Sequence, residues 1–328
     1  MFKFRSILLS VCCILAFFSQ TYPSSRLLYL ETQGVIGYSS AQDGVIFYSL
    51  SQEEAMQKPS LGLDYLQRFS TKARDLGLFA LQARLALNVR GDKTIEPQLY
   101  NCFLKLKPHF ADLWLGHNRP ALGLSSYFDS HGLLLGTLAM QGFGFDRDWG
   151  TGAYRAFSKS DLSLSFTAGS GMLLKFKGNY LVTSRFSYGV LNQNNYSLGF
   201  SLAHGNILET MGYHIVSPKP IEVSFLGSDF VYLWNNFENR LEAFAGRKMQ
   251  KNSYALFYRF GMILLNEGRL KPEAQVIWWK IDSDESKEFS AGISLQATAN
   301  LTIRTAYTYR YPQKEYLAVM QMYYYRRA

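Results

Sequence analysis

The clearest feature of the sequence is a long series of segments in which apolar and polar residues alternate with a period of two. In segment 79–89, one face is polar or small, and the other carries Phe79, Leu81, Ala83, Leu85, Leu87 and Val89. Segments 180–189, 195–204 and 302–311 alternate in the same way. A helix would scatter the two sets around its circumference, whereas a strand places them on opposite faces. The pattern therefore predicts amphipathic β-strands.

The alternation marks seventeen candidate strands, most of them separated by short turn signals such as Asn192–Asn194 and Ser217–Pro220. The candidates are 27–38, 59–69, 75–89, 97–107, 110–118, 151–158, 160–168, 179–190, 194–204, 208–217, 220–234, 238–249, 252–265, 270–281, 287–298, 300–311 and 314–325. Repeated strands of this length predict an all-β protein, a transmembrane antiparallel β-barrel, and bacterial single-chain barrels have an even number of strands. We expect about 16 strands, with one fewer in 194–234. The alternative is 18, with the extra strand in 44–50 or 133–145.

Composition fits a barrel in a membrane. Charged residues make up 18% of the 328 residues and aromatic residues 16%, while the mean hydropathy is only −0.09. A bundle of membrane helices would have a much higher mean hydropathy. A strand that meets lipid on one face and water on the other has a mean hydropathy near zero, because its apolar and polar residues balance. A soluble all-β protein is the competing interpretation.

The first residues have the pattern of a cleaved export signal. Lys3 and Arg5 precede a mostly apolar run at 6–18, and a small, polar stretch follows it. This run is short for a spanning helix, so cleavage is favoured over an uncleaved anchor. We expect a signal peptide at 1–24, Sec export, and one barrel domain at 25–328 in the outer membrane of a Gram-negative bacterium. Cys102 would be the only cysteine left, which excludes an internal disulfide.

One connection is unusually long. Residues 119–150 contain six glycines and several charged side chains, and long connections in ordered domains are usually functional or disordered. The alternative is that its apolar middle, 133–145, forms a strand.

Cations recur on the polar faces of the predicted strands. Removal of Lys3 and Arg5 with the leader would lower the formal net charge from +9 to about +7. Cations along a water-filled pore stabilise passing anions, which predicts a mild anion preference. The alternative is that the cations pair with Glu96, Glu238, Glu242 or Glu273 and join neighbouring strands. The candidate pore-lining residues are Arg84, Lys105, Arg185, Arg240, Arg259, Arg304 and Arg310.

Two motifs flank the long connection. The run Gly116-His117-Asn118-Arg119-Pro120-Ala121-Leu122-Gly123-Leu124 enters it, and Asp146-Arg147-Asp148-Trp149-Gly150 leaves it. Together they resemble the outer-membrane porin superfamily, which includes phosphate-selective and 16-stranded general porins. The resemblance is detailed over 110–155. Elsewhere it rests only on the regular spacing of the predicted strands.

The resemblance implies that 119–150 is the third extracellular loop, which in such porins folds inward and narrows the pore. Its constriction residues would be Arg119, Asp129, Asp146, Arg147 and Asp148. The lysine-rich phosphate ladder of the family has no counterpart in this loop, because the loop contains no lysine. Phosphate selectivity is therefore not implied.

We expect an outer-membrane porin for passive diffusion of small hydrophilic solutes, including anions. The alternative is a non-channel barrel that acts as a structural or assembly component of an outer-membrane complex. No catalytic Ser–His or Asp–His arrangement is recognisable, so we expect neither an enzyme nor a cofactor. Basic residues are dispersed, which argues against nucleic-acid binding. The expected partners are membrane lipid and lipopolysaccharide, and a homotrimer is an open option.

Overall fold

The computed structural model describes residues 24–49, 57–89, 95–128 and 134–328. The predicted signal peptide lies outside the described residues except for Ser24, and so does Asp129. The strands are β1 Ser24–Ser39, β2 Gly44–Ile46, β3 Ser60–Ser70, β4 Asp75–Leu87, β5 Ile95–Leu106, β6 Asp112–Asn118, β7 Asp148–Ala156, β8 Ser160–Thr167, β9 Tyr180–Tyr188, β10 Tyr196–Met211, β11 His214–Trp234, β12 Phe237–Lys248, β13 Lys251–Met262, β14 Leu270–Ile281, β15 Asp284–Gln296, β16 Leu301–Tyr311 and β17 Glu315–Arg327.

The sheet closes on itself. Strand β1 pairs antiparallel with β3 along Ser24–Gln33 and with β17 along Tyr29–Ser39. Strand β2 covers only three residues and pairs with the end of β1, so the wall of the barrel has sixteen strands. The predicted count of 16 is confirmed. Closure matters in lipid because it leaves no strand edge with unpaired backbone groups.

The two faces of the wall differ as the alternation predicts. Large apolar side chains such as Leu61, Leu115 and Leu226 point outward and are exposed. Inward positions are small or polar on many strands, but on β11 they include buried apolar residues such as Val223 and Phe225. Among the described residues, no helix has the length and apolar character needed to cross a membrane. The helical pieces are single turns at Leu124–Ser126, Ala139–Gln141, Leu191–Asn194 and Asn266–Gly268.

Antiparallel order gives the barrel two different ends. Ser24 and Arg327 lie at one end, which we call the terminal end, together with short connections such as 71–74 and 157–159. At the opposite end, the loop end, the chain leaves β1, β6 and β8 for the longer connections to β3, β7 and β9.

The predicted turn at Ser217–Pro220 is wrong. These residues lie inside β11, and the chain reverses instead at Gly212 and Tyr213. The ladder between β10 and β11 jumps from Ile207–Ile221 to Glu209–Ser217, which places both prolines in a β-bulge. Proline lacks a donor for the ladder and is tolerated at such bulges. Two long strands, β10 and β11, therefore replace three predicted ones, namely 194–204, 208–217 and 220–234.

Two further boundaries are corrected. The alternative strand at 133–145 is wrong where the structure describes it, because Ala139–Gln141 is a helical turn and no ladder includes the segment. The alternative strand at 44–50 is reduced to β2. The long connection ends at 147 rather than 150, because Asp148 already pairs with Asn118 as the first residue of β7. We call its described residues, 119–128 and 134–147, the inward loop.

Candidate functional site in the barrel interior

The seven cations predicted to line a pore all lie on the inward side of the wall. In β4, for example, Gln82, Arg84 and Ala86 are buried, whereas Leu85 and Leu87 are exposed. Residues that lie opposite each other on neighbouring strands face the same side of the sheet. Arg84 lies opposite Gln98 of β5, and Leu78, on the inward face of β4, lies opposite Lys105, so Lys105 faces inward as well.

Four of the seven cations are in ion pairs with carboxylates. The pairs are Arg84–Glu31 (3.2 Å), Arg185–Asp229 (2.7 Å), Arg240–Glu238 and Arg310–Glu288 (3.4 Å). Two other glutamates considered as partners bind lysines instead, in Lys58–Glu96 (2.9 Å) and Lys271–Glu273 (3.1 Å). The interior therefore carries far less uncompensated charge than the arginine count suggests.

The pair Arg185–Asp229, which we call the cross-strand ion pair, spans an intervening strand. Arg185 lies on β9 and Asp229 on β11, and two parallel hydrogen bonds of 2.7 and 3.0 Å join them. Gly199 of β10 lies beneath them. A Cβ atom there would be 2.3 Å from Asp229 Oδ2 and 2.6 Å from Arg185 Nη2, so any larger residue at this position would displace the pair.

The other three cations, Arg259, Arg304 and Lys105, have no ion pair with a carboxylate within the described chain, and the two arginines bind neutral oxygen atoms. Arg259 donates to Gln275 Oε1 (2.7 Å) and to the carbonyl oxygen of Gly136 (3.1 Å). Arg304 donates to Gln321 Oε1 (2.8 Å). None of the three is in an ion pair with a carboxylate of the described residues, in contrast to the four paired arginines.

The inward loop enters the interior and is fixed there by its backbone. The N–H groups of Ala121 and Gly123 donate to Ser165 Oγ (3.1 Å) and Ser201 Oγ (3.0 Å). The N–H of Leu124 donates to Glu242 Oε1 (2.7 Å). These acceptors lie on β8, β10 and β12, so three consecutive even-numbered strands of the wall hold one short stretch of the loop.

Apolar packing fixes the rest of the inward loop. Its side chains Leu122, Leu138 and Phe143 are almost completely buried. Phe143 packs against Phe225 and Phe244 of the wall, with ring centroids 5.3 and 6.4 Å apart. Inward apolar residues on β9–β14 thus form a hydrophobic core with the loop, which occupies part of the lumen.

The predicted constriction residues do not act as one charged ring. Arg147 is 1% exposed, donates to Asn101 Oδ1 (3.1 Å) and is ion-paired with Asp146. Asp148 accepts backbone N–H groups from the 169–171 turn, so its carboxylate holds the next connection in place. Arg119 is half-buried at the start of the loop.

Solved structures share this arrangement of strands. Vibrio cholerae OmpT in a trimer form, described as an outer membrane protein, aligns over 92% of this chain and 99% of its own, with a TM-score of 0.66 and 9% identity. Salmonella typhi OmpF in complex with daunomycin aligns over 93% and 98%, with a TM-score of 0.61 and 10% identity. A mutant of the Rh. blastica porin aligns over 93% and 100%, with a TM-score of 0.56 and 11% identity.

The chain has the porin fold. The resemblance noted in the sequence is thereby confirmed at the level of architecture. No protein-family model matches the sequence, and no curated protein matches it.

Sequence reasoning missed the most prominent contact at the loop end of this porin-fold barrel. The tip of the β10–β11 hairpin carries Tyr213, whose hydroxyl accepts from the N–H of Leu99 (2.5 Å) and donates to its carbonyl oxygen (2.9 Å). We call this contact the latch. Strand β6 pairs with β5 only at Cys102–Leu106, so the latch satisfies backbone groups of β5 beyond the last residue paired with β6. Burial raises the pKa of Tyr213.

The interior is narrow. Inward polar side chains on well-separated strands are almost inaccessible to water: Gln98 on β5 is 1% exposed, and Glu288 on β15 and Gln321 on β17 are fully buried. A wide aqueous lumen would leave such side chains wet. Part of this burial comes from segments other than the inward loop, since Gln321 Nε2 donates to Gln33 Oε1 (2.8 Å) and to Gln57 Oε1 (3.2 Å).

Proposed function

We propose that this chain is an outer-membrane channel for passive diffusion of small hydrophilic solutes. The observation that carries the proposal is the inward loop, which crosses the interior of a closed sixteen-strand barrel and is bound to its wall. Such a loop restricts the size of solutes while the barrel provides the path. Size would therefore be the first criterion of permeation.

We further propose a mild anion preference. Arg259, Arg304 and Lys105 lie on the inward face without a carboxylate in an ion pair, as far as the described residues extend. Glu242 offsets part of their charge, since it binds a backbone N–H rather than a cation. The remaining excess is small, which suits a weak rather than a strict selectivity.

Planar-bilayer recordings test both statements. We expect discrete single-channel steps that are smaller than those of OmpF in the same bilayer, and a reversal potential of anion-selective sign in a KCl gradient. The double substitution Arg259→Gln and Arg304→Gln should move that potential toward cations, whereas Lys159→Gln in an exposed turn should not. Absence of steps would count against a channel, and a cation-selective wild type against the charge argument.

We propose that the protein reaches the outer membrane through the Sec pathway after loss of residues 1–24, and that it has no enzymatic role. A homotrimer in contact with lipid and lipopolysaccharide is the assembly we favour, because one similar structure is described as a trimer form. Crosslinking of the purified protein tests the assembly: a trimer ladder is expected, and monomers alone would contradict it.

The burial of inward side chains also favours a second candidate, a non-channel barrel that serves as a component of an outer-membrane complex. This alternative predicts no conductance and co-purification of a stoichiometric partner. Conductance without any partner would exclude it.

A further inference from the structure

A cleft of about 300 Å³ opens at the loop end between the inward loop and the β10–β11 hairpin. Gln141 and Asp146 contribute from the loop, Met211 from the hairpin, and Met172 and Lys248 from neighbouring elements. This volume is at the lower limit of typical small-molecule sites, about 300–1,000 Å³. The occupant would therefore be about the size of a single amino acid.

The walls of the cleft are mostly apolar. Three of the nine methionines in the chain line it, namely Met140, Met172 and Met211, together with Phe145 and Val216. Methionine side chains are flexible and polarisable, so they can adapt to apolar groups of different shape. The walls thus suit an aliphatic or aromatic side chain without strict specificity.

One polar feature of the cleft is an acceptor. Asp146 Oδ2 is bound to Arg147, but the other carboxylate oxygen, Oδ1, is buried and has no hydrogen-bond partner within the described chain. The side chain is nevertheless 21% exposed, so the carboxylate oxygen within reach of the cleft is Oδ2. A carboxylate oxygen accepts more than one hydrogen bond, so an ammonium group of a ligand can bind Oδ2 beside Arg147.

The second polar feature is a donor. Lys248 reaches the same cleft from the end of β12, and its ammonium is ion-paired with Glu209 at 3.1 Å. An ammonium has three donors, so this pair leaves donors for a further acceptor. It lies close to the loop, since a Cβ atom at Gly142 would be 3.0 Å from Lys248 Nζ. A carboxylate of a ligand could bind here.

We propose that this cleft binds small zwitterions with an apolar side chain, with the ammonium at Asp146 and the carboxylate at Lys248. The inference deepens the proposed function and rests on it for its biological use, because it names a class of solute that the channel would receive at its mouth.

Calorimetry on the full chain in detergent micelles tests the site with three probes: L-leucine, leucinamide without a carboxylate, and N-acetyl-leucine without an ammonium. We expect L-leucine to bind at least tenfold more tightly than either analogue. Asp146→Asn should weaken L-leucine at least tenfold and leave N-acetyl-leucine unchanged. Lys248→Gln should weaken L-leucine similarly and leave leucinamide unchanged. Asp112→Asn at the terminal end is the matched control.

Each variant should weaken only the probes that carry the group its wild-type residue binds. This selectivity distinguishes loss of a direct contact from damage to the fold, which would weaken all three probes. Absence of L-leucine binding to the wild type would overturn the proposal, and so would equal weakening of all three probes in both variants. Bilayer recordings then separate this site from the channel. Binding without conductance would support the site and refute the channel, whereas conductance without binding would overturn the site and leave the channel standing.

Discussion

The latch joins the tip of the β10–β11 hairpin to the backbone of β5 through a single hydroxyl group. Tyr213→Phe removes one oxygen atom, and with it both hydrogen bonds to the backbone of Leu99. Leaving buried polar groups without a partner costs about 1–3 kcal/mol. If the hairpin alternates between a latched and a released position, that loss shifts the equilibrium about 5- to 150-fold toward release. We expect larger or longer open events because the hairpin tip then leaves the mouth of the barrel.

Single-channel recording of wild type and variant under one voltage protocol provides the measurement. Tyr254→Phe is the control, because Tyr254 is an exposed tyrosine on the outer face of β13 and lacks this contact. Hydrogen exchange at the backbone of Leu99 supplies an independent readout, and its protection should fall in the variant alone. If conductance, open time and exchange are all unchanged, the latch does not hold the hairpin and the reasoning fails.

The same contact has a defined pH dependence. Burial raises the pKa of Tyr213 above the ordinary tyrosine value of 10.0, so the neutral hydroxyl is favoured in the folded state. A raised pKa means that the stabilisation is fully present below pH 10.0 and is lost only as the pH rises through the shifted value. Latch-dependent gating should therefore be constant at all pH values below 10.0. A change near neutral pH would assign the gating to another group.

Two substitutions test the remaining supports. Glu242→Ala leaves the N–H of Leu124 without its acceptor, which removes about 1–3 kcal/mol of the energy that holds the inward loop. We expect more current noise in the open channel as a result. Ser253→Ala, on the next strand, is the control, and equal noise in both variants would contradict the role of Glu242 in holding the loop. Gly199→Ala should displace the cross-strand ion pair and lower stability by about 1–3 kcal/mol, seen as a lower urea midpoint in micelles. Gly34→Ala is the control, because a Cβ atom at Gly34 would have its nearest neighbour at 3.9 Å, and this variant should behave as wild type. Equal urea midpoints for the two variants would show that the cross-strand ion pair does not contribute to stability.

The sequence predicts the wall of the barrel well, for a physical reason. Every barrel strand must present one face to lipid and the other to the interior, so the period of two recurs from strand to strand. The inward orientation of Arg84 and Arg259 follows directly from that parity. The wrongly predicted turn within β11 arises where Pro218 and Pro220 are accommodated in a bulge, because proline normally ends a strand.

The contacts inside the barrel are much less predictable. Arg185 and Asp229 are 44 residues apart and meet only because the registers of three strands and the missing side chain of Gly199 align. Tyr213 finds Leu99 across 114 residues. No periodicity encodes such pairs, since each depends on where a loop or hairpin ends in space.

The ion pairs and the inward loop together indicate that the size of a solute limits its permeation more than its charge does. A row of arginines suggests a strong field, but Arg84, Arg185, Arg240 and Arg310 are each neutralised by a carboxylate within ion-pair distance. The inward loop, by contrast, removes space from the lumen regardless of the charge of a solute. Releasing the loop or the hairpin should therefore change conductance more than neutralising Arg259 does, and neutralising Arg259 should change selectivity without a comparable change in conductance. Measured side by side in one bilayer system, the reverse ranking would mean that charge, not space, limits passage.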